Sequence, residues 1–426
     1  MRGKGMGRFG IGLAVVVMGA VEAQAVERSV RPLPRTETAD AAGAAAVAQT
    51  DPALVDWVAA FRPRALAQGI DAAVFDRAMA TVGVLPDVIR RDRSQAEFTK
   101  TLWDYLDTAV SDLRVRNGQE AMIRHHVALR GIEEAHGVPA EVVVAVWGLE
   151  SAYGTFRGST HTLSALTTLA AEGRRAAFFE AQLVAALRIL QAGDVSPEDM
   201  RGSWAGAMGH TQFMPTSFLD HAVDGTGDGI RDIWGDDPTD ALASTANYLE
   251  SFGWRAGEPW GLEVRLPDGF DFAQTGEGVR RAAAEWTAAG VTAADGSALP
   301  ASDAVSILVP AGAQGTAIAR YPNFGVIERY NPADAYVIGV GHLSDRIAGG
   351  RGFAGGWPRG DRALTGDERR EVQRRLRGEG FDPGGVDGRV GPLTLAAVRG
   401  WQAAQGLTPD GYVGPGLLTR LRGGGS

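Results

Sequence analysis

The spacing of apolar residues predicts that the first half of the chain is mainly helical. Between residues 52 and 190, apolar side chains recur every three or four positions, as at Leu54, Trp57, Val58 and Phe61. This spacing is typical of helices that bury one face.

One helical run is apolar on nearly every side. It begins near Pro139, with Glu141 in its first turn, and ends at Glu150. A helix of this kind is expected to be buried. A carboxyl group at the end of such a helix is costly to ionise, and the partial negative charge of the helix C-terminus adds to that cost. Both effects favour the protonated form, which a general acid needs. An exposed helix end, or pairing with an arginine, is the alternative for Glu150.

The pattern changes between about residues 255 and 328 to short apolar runs bounded by Gly, Pro and Asp. Such runs predict β-strands, here over Leu262–Leu266, Val305–Val309 and Ala317–Tyr321. Residues 332–347 return to a helical pattern. Residues 51–348 are therefore expected to form one domain of mainly α (α+β) class that includes a small β-containing subdomain.

A glycine-rich stretch at residues 349–363 predicts a linker, and a motif is repeated beyond it. Val386-Asp-Gly-Arg-Val-Gly-Pro392 recurs as Pro409-Asp-Gly-Tyr-Val-Gly-Pro415, each copy after a short amphipathic run. Asp-Gly favours a turn, and Pro favours the first position of a helix. Residues 364–422 are thus predicted to be a compact three-helix domain.

The first residues are typical of an exported protein. Residues 1–25 combine a basic start, a short apolar run and the small-x-small sequence Ala23-Gln-Ala25, which predicts a cleaved signal peptide. The apolar run is too short to span a bilayer. Residues 26–50, rich in Ala, Thr and Pro, are predicted to be a flexible leader.

Composition narrows the possible functions. The 426 residues include no cysteine, which excludes disulfides, thiolate metal sites, a cysteine nucleophile and a cysteine-linked lipid anchor. The formal net charge of -9 argues against binding to nucleic acid or to an anionic membrane surface.

A second stretch of interest runs from Ser203 to Pro215 and is rich in small and aromatic residues without any acid. Small residues let a ligand approach the backbone, and Ser203 and Gln212 could hydrogen-bond sugar hydroxyl or acetamido groups. A tightly packed turn explains the composition equally well. His210 fits either packing or a ligand contact.

A third stretch, Asp224-Gly-Thr-Gly-Asp-Gly-Ile230, begins like a calcium loop, with oxygen donors at alternate positions followed by Gly. The position where a closing Glu is expected holds Gly235, so a plain Asp-Gly turn is the alternative. A structural calcium would need an acid slightly further on, at Asp236, Asp237 or Asp240.

Several blocks resemble the signatures of the lytic murein transglycosylase B family (glycoside hydrolase family 103). They are Val146–Gly154, Ser203–Pro215, Asp228–Trp234 with Ala246–Leu249, and Arg329–Asn331. The resemblance covers about residues 50–350, and residues 364–421 are similar to the common peptidoglycan-binding domain. It implies a lysozyme-like helical catalytic core, cleavage of the β-1,4 bond between N-acetylmuramic acid and N-acetylglucosamine, and a 1,6-anhydro product.

The resemblance also implies roles for individual residues. Glu150 matches the single catalytic acid/base. The residues that match substrate-binding groove positions are Ser203, Gln212, Tyr248, Tyr330 and Asn331. The metal loop of some members is matched by Asp224, Thr226, Asp228 and the Ile230 carbonyl, with Asp240 as closing ligand. Extra residues between Trp234 and Asp240 depart from that pattern.

We expect the protein to act on peptidoglycan glycan strands in the periplasm. It is expected to be a monomer and to require no cofactor. Ordinary glycosidases need two carboxylates, whereas one suffices if the muramic acid C6 hydroxyl is the nucleophile. Two alternatives stay open at this point. One is a hydrolase that uses Asp224 or Asp228 as base for a water, and the other is a non-catalytic wall-binding scaffold.

Overall fold

A computed structural model describes residues 51–93, 100–172 and 174–423. The predicted signal peptide and leader lie outside the described residues. None of the helices in these ranges has the length and apolar content that crossing a lipid bilayer requires.

The larger part of the molecule is helical, as the apolar spacing predicted. Its helices are α1 Pro52–Ala67, α2 Ala72–Met79, α3 Pro86–Arg93, α4 Leu102–Ala109, α5 Asp112–Arg124, α6 His126–His136, α7 Ala140–Ser151, α8 Thr162–Ala171, α9 Ala176–Ala192, α10 Pro215–His221, α11 Thr239–Ser251, α12 Ala283–Ala288, α13 Pro322–Tyr330 and α14 Asp334–Ile347. Local sequence sets several of the ends. For example, the Asp51 side chain accepts the amides of Ala53 and Leu54 at the start of α1.

Two short strands, β1 Thr160–His161 and β2 Arg201–Gly202, form an antiparallel pair. The backbones approach so closely here that a Cβ on Gly158 would overlap the carbonyl group of Gly202. Glycine suits position 158 for two reasons. It has no Cβ to fill this narrow space, and it readily adopts the left-handed conformation found there, where φ is +87°. The pairing brings the segment that follows Gly202 beside the segment that follows α7.

A four-stranded antiparallel sheet forms the predicted β-containing subdomain, with its own core. Its strands are β3 Gly261–Arg265, β4 Thr292–Ala293, β5 Ser306–Leu308 and β6 Ala317–Arg320, in the order β4-β3-β6-β5. Trp286 of α12 is fully buried in this core, and its indole N–H donates to the Val305 carbonyl at 2.8 Å. The mainly α class with a small β subdomain is therefore confirmed.

The C-terminal part is a separate three-helix domain, which confirms that prediction. Its helices are α15 Gly366–Gly378, α16 Pro392–Ala404 and α17 Pro415–Leu421. They enclose a small apolar core around Leu376, Val398 and Trp401. Both α16 and α17 begin with the Pro of the repeated motif, as the sequence pattern predicted.

The glycine-rich connection is packed against the helical part rather than loose. We call residues 351–359 the strap. Phe353 stacks on His342 of α14 with ring centroids 4.0 Å apart, and Trp357 stacks on Trp103 of α4 at 6.2 Å. Arg359 pairs with Asp107 at 2.7 Å. Aromatic residues among the glycines thus fix the strap across α4 and α14.

Replacing Trp357 with alanine should loosen the strap and destabilise the larger helical part of the molecule. Truncating a buried aromatic residue costs about 3 to 5 kcal/mol, and for the half-buried Trp357 we expect a loss of about 2 kcal/mol in the free energy of unfolding. Urea denaturation followed by tryptophan fluorescence measures it. Arg351→Ala, an exposed change in the same segment, is the control. Equal stability of the two variants would contradict the packing described here.

Candidate active site

Glu150 lies in the last turn of α7, a helix buried along nearly its whole length against α5 and α14. Its carboxyl group is half-buried, and Oε1 accepts a hydrogen bond from the Tyr336 hydroxyl at 2.8 Å. Tyr336 belongs to the first turns of α14, which packs alongside α7. The carboxyl group therefore has a fixed partner on a neighbouring helix.

A second tyrosine approaches Glu150 from α4. Burial, reinforced by the nearby charge of Glu150, raises the pKa of the Tyr105 phenol, so this group keeps its proton. Tyr105 packs against Gly339 of α14, where an added Cβ would lie 3.0 Å from its ring. Sequence reasoning missed both Tyr105 and Tyr336, because neither belongs to a recognisable motif. Each reaches Glu150 through helix packing.

The chain turns sharply after α7 through three left-handed residues. Ala152 and Tyr153 have φ of 49° and 58°, and Gly154 follows with φ of 80°. Left-handed conformations strain non-glycine residues by roughly 1 kcal/mol or more each, so surrounding contacts must hold them. The Tyr153 hydroxyl donates to the Arg114 carbonyl at 2.7 Å, and its ring meets Trp147 edge-on. Packing thus holds the turn that follows α7.

His210 joins this turn to the loop that follows Asp232. The Trp147 indole N–H donates to His210 Nδ1 at 3.1 Å, and His210 Nε2 donates to the Gly235 carbonyl at 2.7 Å. The Ser151 hydroxyl donates to the His210 backbone carbonyl at 2.5 Å. Because Nδ1 accepts and Nε2 donates, these bonds assign the neutral imidazole. Burial lowers the pKa of His210, which agrees with that form. His210 is therefore a packing residue.

Two of the predicted groove residues, Tyr248 and Tyr330, form an aromatic cluster with Phe213. The two tyrosine rings lie 4.9 Å apart, and Phe213 is 5.8 and 5.9 Å from them. The Tyr248 hydroxyl donates to the Arg329 carbonyl, and the Tyr330 hydroxyl donates to the Thr211 carbonyl. The cluster is also linked to Glu150, because Tyr330 stacks nearly parallel on Tyr336 at 6.5 Å and Tyr336 donates to the Glu150 carboxyl group.

The other three predicted groove residues also have polar contacts within the protein. The Gln212 amide donates to the carbonyls of Arg157 and Gly209 at 2.9 and 2.8 Å. Ser203 Oγ accepts the amide of Ala207, and Asn331 Oδ1 accepts that of Ala333. These bonds hold the three side chains in defined positions. Contact of these side chains with substrate stays a prediction.

The predicted metal loop is braced by its own backbone. Asp224 accepts the amides of Gly227, Asp228 and Gly229 and the hydroxyl of Thr226. A carboxyl oxygen of Asp228 accepts the amide of Ile230. These contacts give the segment the shape of an Asp-Gly turn.

Asp240, the expected closing ligand, is buried and also faces backbone amides. Its Oδ1 accepts the amides of Gly225 and Thr226, and Oδ2 accepts that of Asp232. Within the described ranges, no three acidic or histidine side chains are grouped so that they could hold a metal ion. The residues as arranged do not complete a calcium site, and calcium binding stays a prediction from the sequence.

The chain is similar to known protein families over most of its length. The chain matches the transglycosylase SLT domain over residues 53–345 and the putative peptidoglycan binding domain over residues 365–421. It is 33% identical to the membrane-bound lytic murein transglycosylase B of Escherichia coli K12 over 241 residues. That match covers 55% of this chain and 64% of the relative, slightly less than two thirds of its length.

Solved structures give a similar result. The crystal structure of SltB3 from Pseudomonas aeruginosa in complex with NAG-anhNAM-pentapeptide matches with a TM-score of 0.84 and 48% identity, covering 87% of this chain and all of that one. The Escherichia coli lytic transglycosylase Slt35 in complex with calcium matches with a TM-score of 0.59 and 28% identity, covering 70% of this chain and 93% of that one.

The His210 contacts predict a specific pH dependence of stability. The pKa of His210 in the folded protein lies below the roughly 6.5 of free imidazole, so the unfolded chain takes up the proton first. The stabilisation from His210 is therefore lost as pH falls from about 6.5. Replacement by glutamine should cost about 2 kcal/mol near neutral pH, because buried hydrogen bonds are lost.

The difference in the free energy of unfolding between wild type and His210→Gln should consequently become smaller as the pH falls below about 6.5. Denaturant titrations of both proteins across this pH range measure it. The charged groups that face the imidazole, namely Arg157, Asp232 and Asp236, are common to both proteins and cancel in the difference. Parallel pH profiles would mean that His210 is not held neutral by these contacts.

Proposed function

The chain belongs to the lytic murein transglycosylase family, and on this premise we propose that it cleaves peptidoglycan without consuming water. The bond broken is the β-1,4 link between N-acetylmuramic acid and N-acetylglucosamine, and a 1,6-anhydro ring forms on the muramic acid. The observation that carries this proposal is the carboxyl group of Glu150, held by the Tyr336 hydroxyl at the end of a buried helix.

In the first step Glu150 acts as a general acid. It gives its proton to the glycosidic oxygen as the bond from that oxygen to the anomeric carbon breaks. The N-acetylglucosamine side leaves as an alcohol, and positive charge develops at the anomeric carbon of muramic acid. Glu150 is then a carboxylate.

In the second step the same carboxylate acts as a base. It removes the proton of the muramic acid C6 hydroxyl while that oxygen bonds to the anomeric carbon. The ring closes, Glu150 regains its proton, and no water enters the product. A second carboxylate, which ordinary glycosidases need as nucleophile or as base for a water, has no role in this sequence.

Tyr336 is positioned to support both steps. Its hydroxyl donates to Oε1 and so holds the carboxyl group in one orientation before and after proton transfer. A hydrogen bond to an ionised acceptor is about twice as strong as one to a neutral acceptor. The contact therefore strengthens when Glu150 is the carboxylate, which favours the intermediate between the two steps.

The arrangement of Asp224 argues against the hydrolase alternative. Backbone hydrogen bonds, that from Gly229 above all, hold the pKa of Asp224 below its usual range. A carboxylate with a lowered pKa is a weak base for activating water. An oxygen of Asp228 is likewise used within the loop, where it accepts the amide of Ile230.

The cellular setting follows from the same proposal. Residues 364–422 would hold the enzyme on the wall and raise its local concentration at the glycan strand. The Pseudomonas aeruginosa relative was crystallised with an anhydro-muramyl fragment, which supports the same product here. We propose that the protein acts in the periplasm as a monomer, without a required cofactor.

Glu150→Gln tests the acid/base assignment. The amide can neither give nor accept the transferred proton, so release of soluble fragments from purified sacculi should fall by about a hundredfold or more. Turbidity loss and chromatography of the fragments measure it. Glu141→Gln changes an acid in the first turn of the same helix and should leave the rate unchanged. Substantial lysis by Glu150→Gln would refute the assignment.

Tyr336→Phe tests the positioning hydroxyl. A hydrogen bond to a charged group contributes about 1.5 to 3 kcal/mol, so kcat on a soluble glycan should fall by about ten- to a hundredfold. KM should change little, because the phenylalanine ring still stacks on Tyr330.

The matched control for that variant is Tyr321→Phe. It removes a hydroxyl that donates to the Pro300 carbonyl in the β subdomain, far along the chain from the catalytic helix. An equal fall in kcat for both variants would show that lost stability, rather than carboxyl positioning, explains the effect.

A further inference from the structure

The repeated motif of the C-terminal domain folds into two equivalent turns. In the first copy, residues 386–392, Gln373 donates to Asp387 and accepts the Gly388 amide. In the second copy, residues 409–415, Gln402 donates to Asp410 and accepts the Gly411 amide. Each turn is thus held by one glutamine of the preceding helix, and the copies can be compared position by position.

The second copy is used to dock the domain onto the β subdomain. Asp410 Oδ2 accepts the Ala313 amide at 2.9 Å. The two surfaces meet so closely that a Cβ on Gly312 would lie 2.8 Å from the Cβ of Tyr412. Beside this turn, Arg399 donates to the Thr275 hydroxyl at 2.7 Å. This copy therefore faces the catalytic part.

The first copy is left facing solvent. In the described part of the chain its hydrogen bonds all end within the C-terminal domain, at residues such as Arg369, Gln373 and Thr394. Val390 is 40% exposed, whereas its counterpart Val413 is partly buried against the domain core. Among the described residues, the first copy thus makes hydrogen bonds only within its own domain and leaves its valine more exposed than the second copy does.

The exposed surface of the first copy combines apolar and basic groups. Leu393 is 64% exposed, Pro392 is exposed next to it, and Arg389 lies exposed on the same turn. Exposed apolar patches of this kind mark interaction sites. From Leu364 onward the chain has nine arginines and seven acidic residues, a charge of +2 in a protein of net charge -9. The domain is therefore suited to an anionic partner that the acidic remainder of the chain repels.

We infer that Val390, Pro392 and Leu393, with Arg389, form the surface by which the C-terminal domain binds the peptidoglycan strand. The inference rests on the proposed function and adds the place of contact. Apolar faces of the sugar rings pack on the three apolar side chains, and carboxylates of the muramic acid substituents pair with Arg389. The second copy fixes this surface in relation to the catalytic part.

Binding to purified sacculi tests the surface. In the Glu150→Gln background, which is expected to leave the wall intact, Leu393→Asp should raise the apparent Kd for sacculi about tenfold, because it places a charge in an apolar contact. Arg389→Glu should weaken binding to a similar degree. Ile123→Asp changes a side chain that is 75% exposed on α5 and should bind like the parent. Since Leu393 and Arg389 are exposed, unchanged melting temperatures are expected.

The inference would be overturned if the apparent Kd values of Leu393→Asp and Arg389→Glu were within twofold of the parent value. The exposed surface would then be assigned to contact with a protein or a lipid. Equal weakening by Ile123→Asp would overturn it as well. Failure of the proposed function appears in a different measurement, since wild-type enzyme would then release no fragments from the same sacculi.

Discussion

The hydrogen bonds between the end of α7 and His210 fix the position of Glu150, the acid/base of the proposed reaction. Trp147 and Ser151 of that helix both donate to His210, and the strained turn at Ala152 and Tyr153 is held by packing around them. A helix end that frayed would let the carboxyl group move by several ångströms, and a misplacement of about 1 Å can cost a hundredfold in rate. The buried apolar helix provides the position, and the His210 contacts keep its last turn from relaxing.

A second set of contacts orients the carboxyl group from the other side. Tyr336 donates to Glu150 and stacks on Tyr330, which in turn packs in the cluster with Phe213 and Tyr248. Side chains from α11, α13 and α14 therefore act together to hold one carboxyl oxygen, Oε1 of Glu150. A single acid that must both give and take a proton needs such support, because its geometry has to suit two successive steps. The tyrosine hydroxyls bonded to backbone carbonyls contribute rigidity to the wall of the groove.

Much of the fold could be predicted from the sequence, since apolar spacing and turn residues are local signals. The buried helix that ends at Glu150, the β subdomain and the paired Asp-Gly turns all depend on such signals. Tyr105 and Tyr336 could not be predicted, because they come near Glu150 only after α14 packs against both α7 and α4. His210 was ambiguous for the same reason, as its partners lie far away in sequence. The strap was predicted as a linker from its glycines, whereas its aromatic contacts are set by tertiary packing.

In the proposed reaction, one carboxyl group performs both proton transfers and the substrate supplies the nucleophile. Digestion of purified sacculi in water enriched in oxygen-18, followed by mass spectrometry of the fragments, distinguishes this reaction from hydrolysis. We expect muramic acid ends that are lighter by one water than a hydrolysis product and that contain no oxygen-18. Full-mass reducing ends that carry the label would contradict the proposed reaction, because they would show that water, activated by a second group, attacks the anomeric carbon.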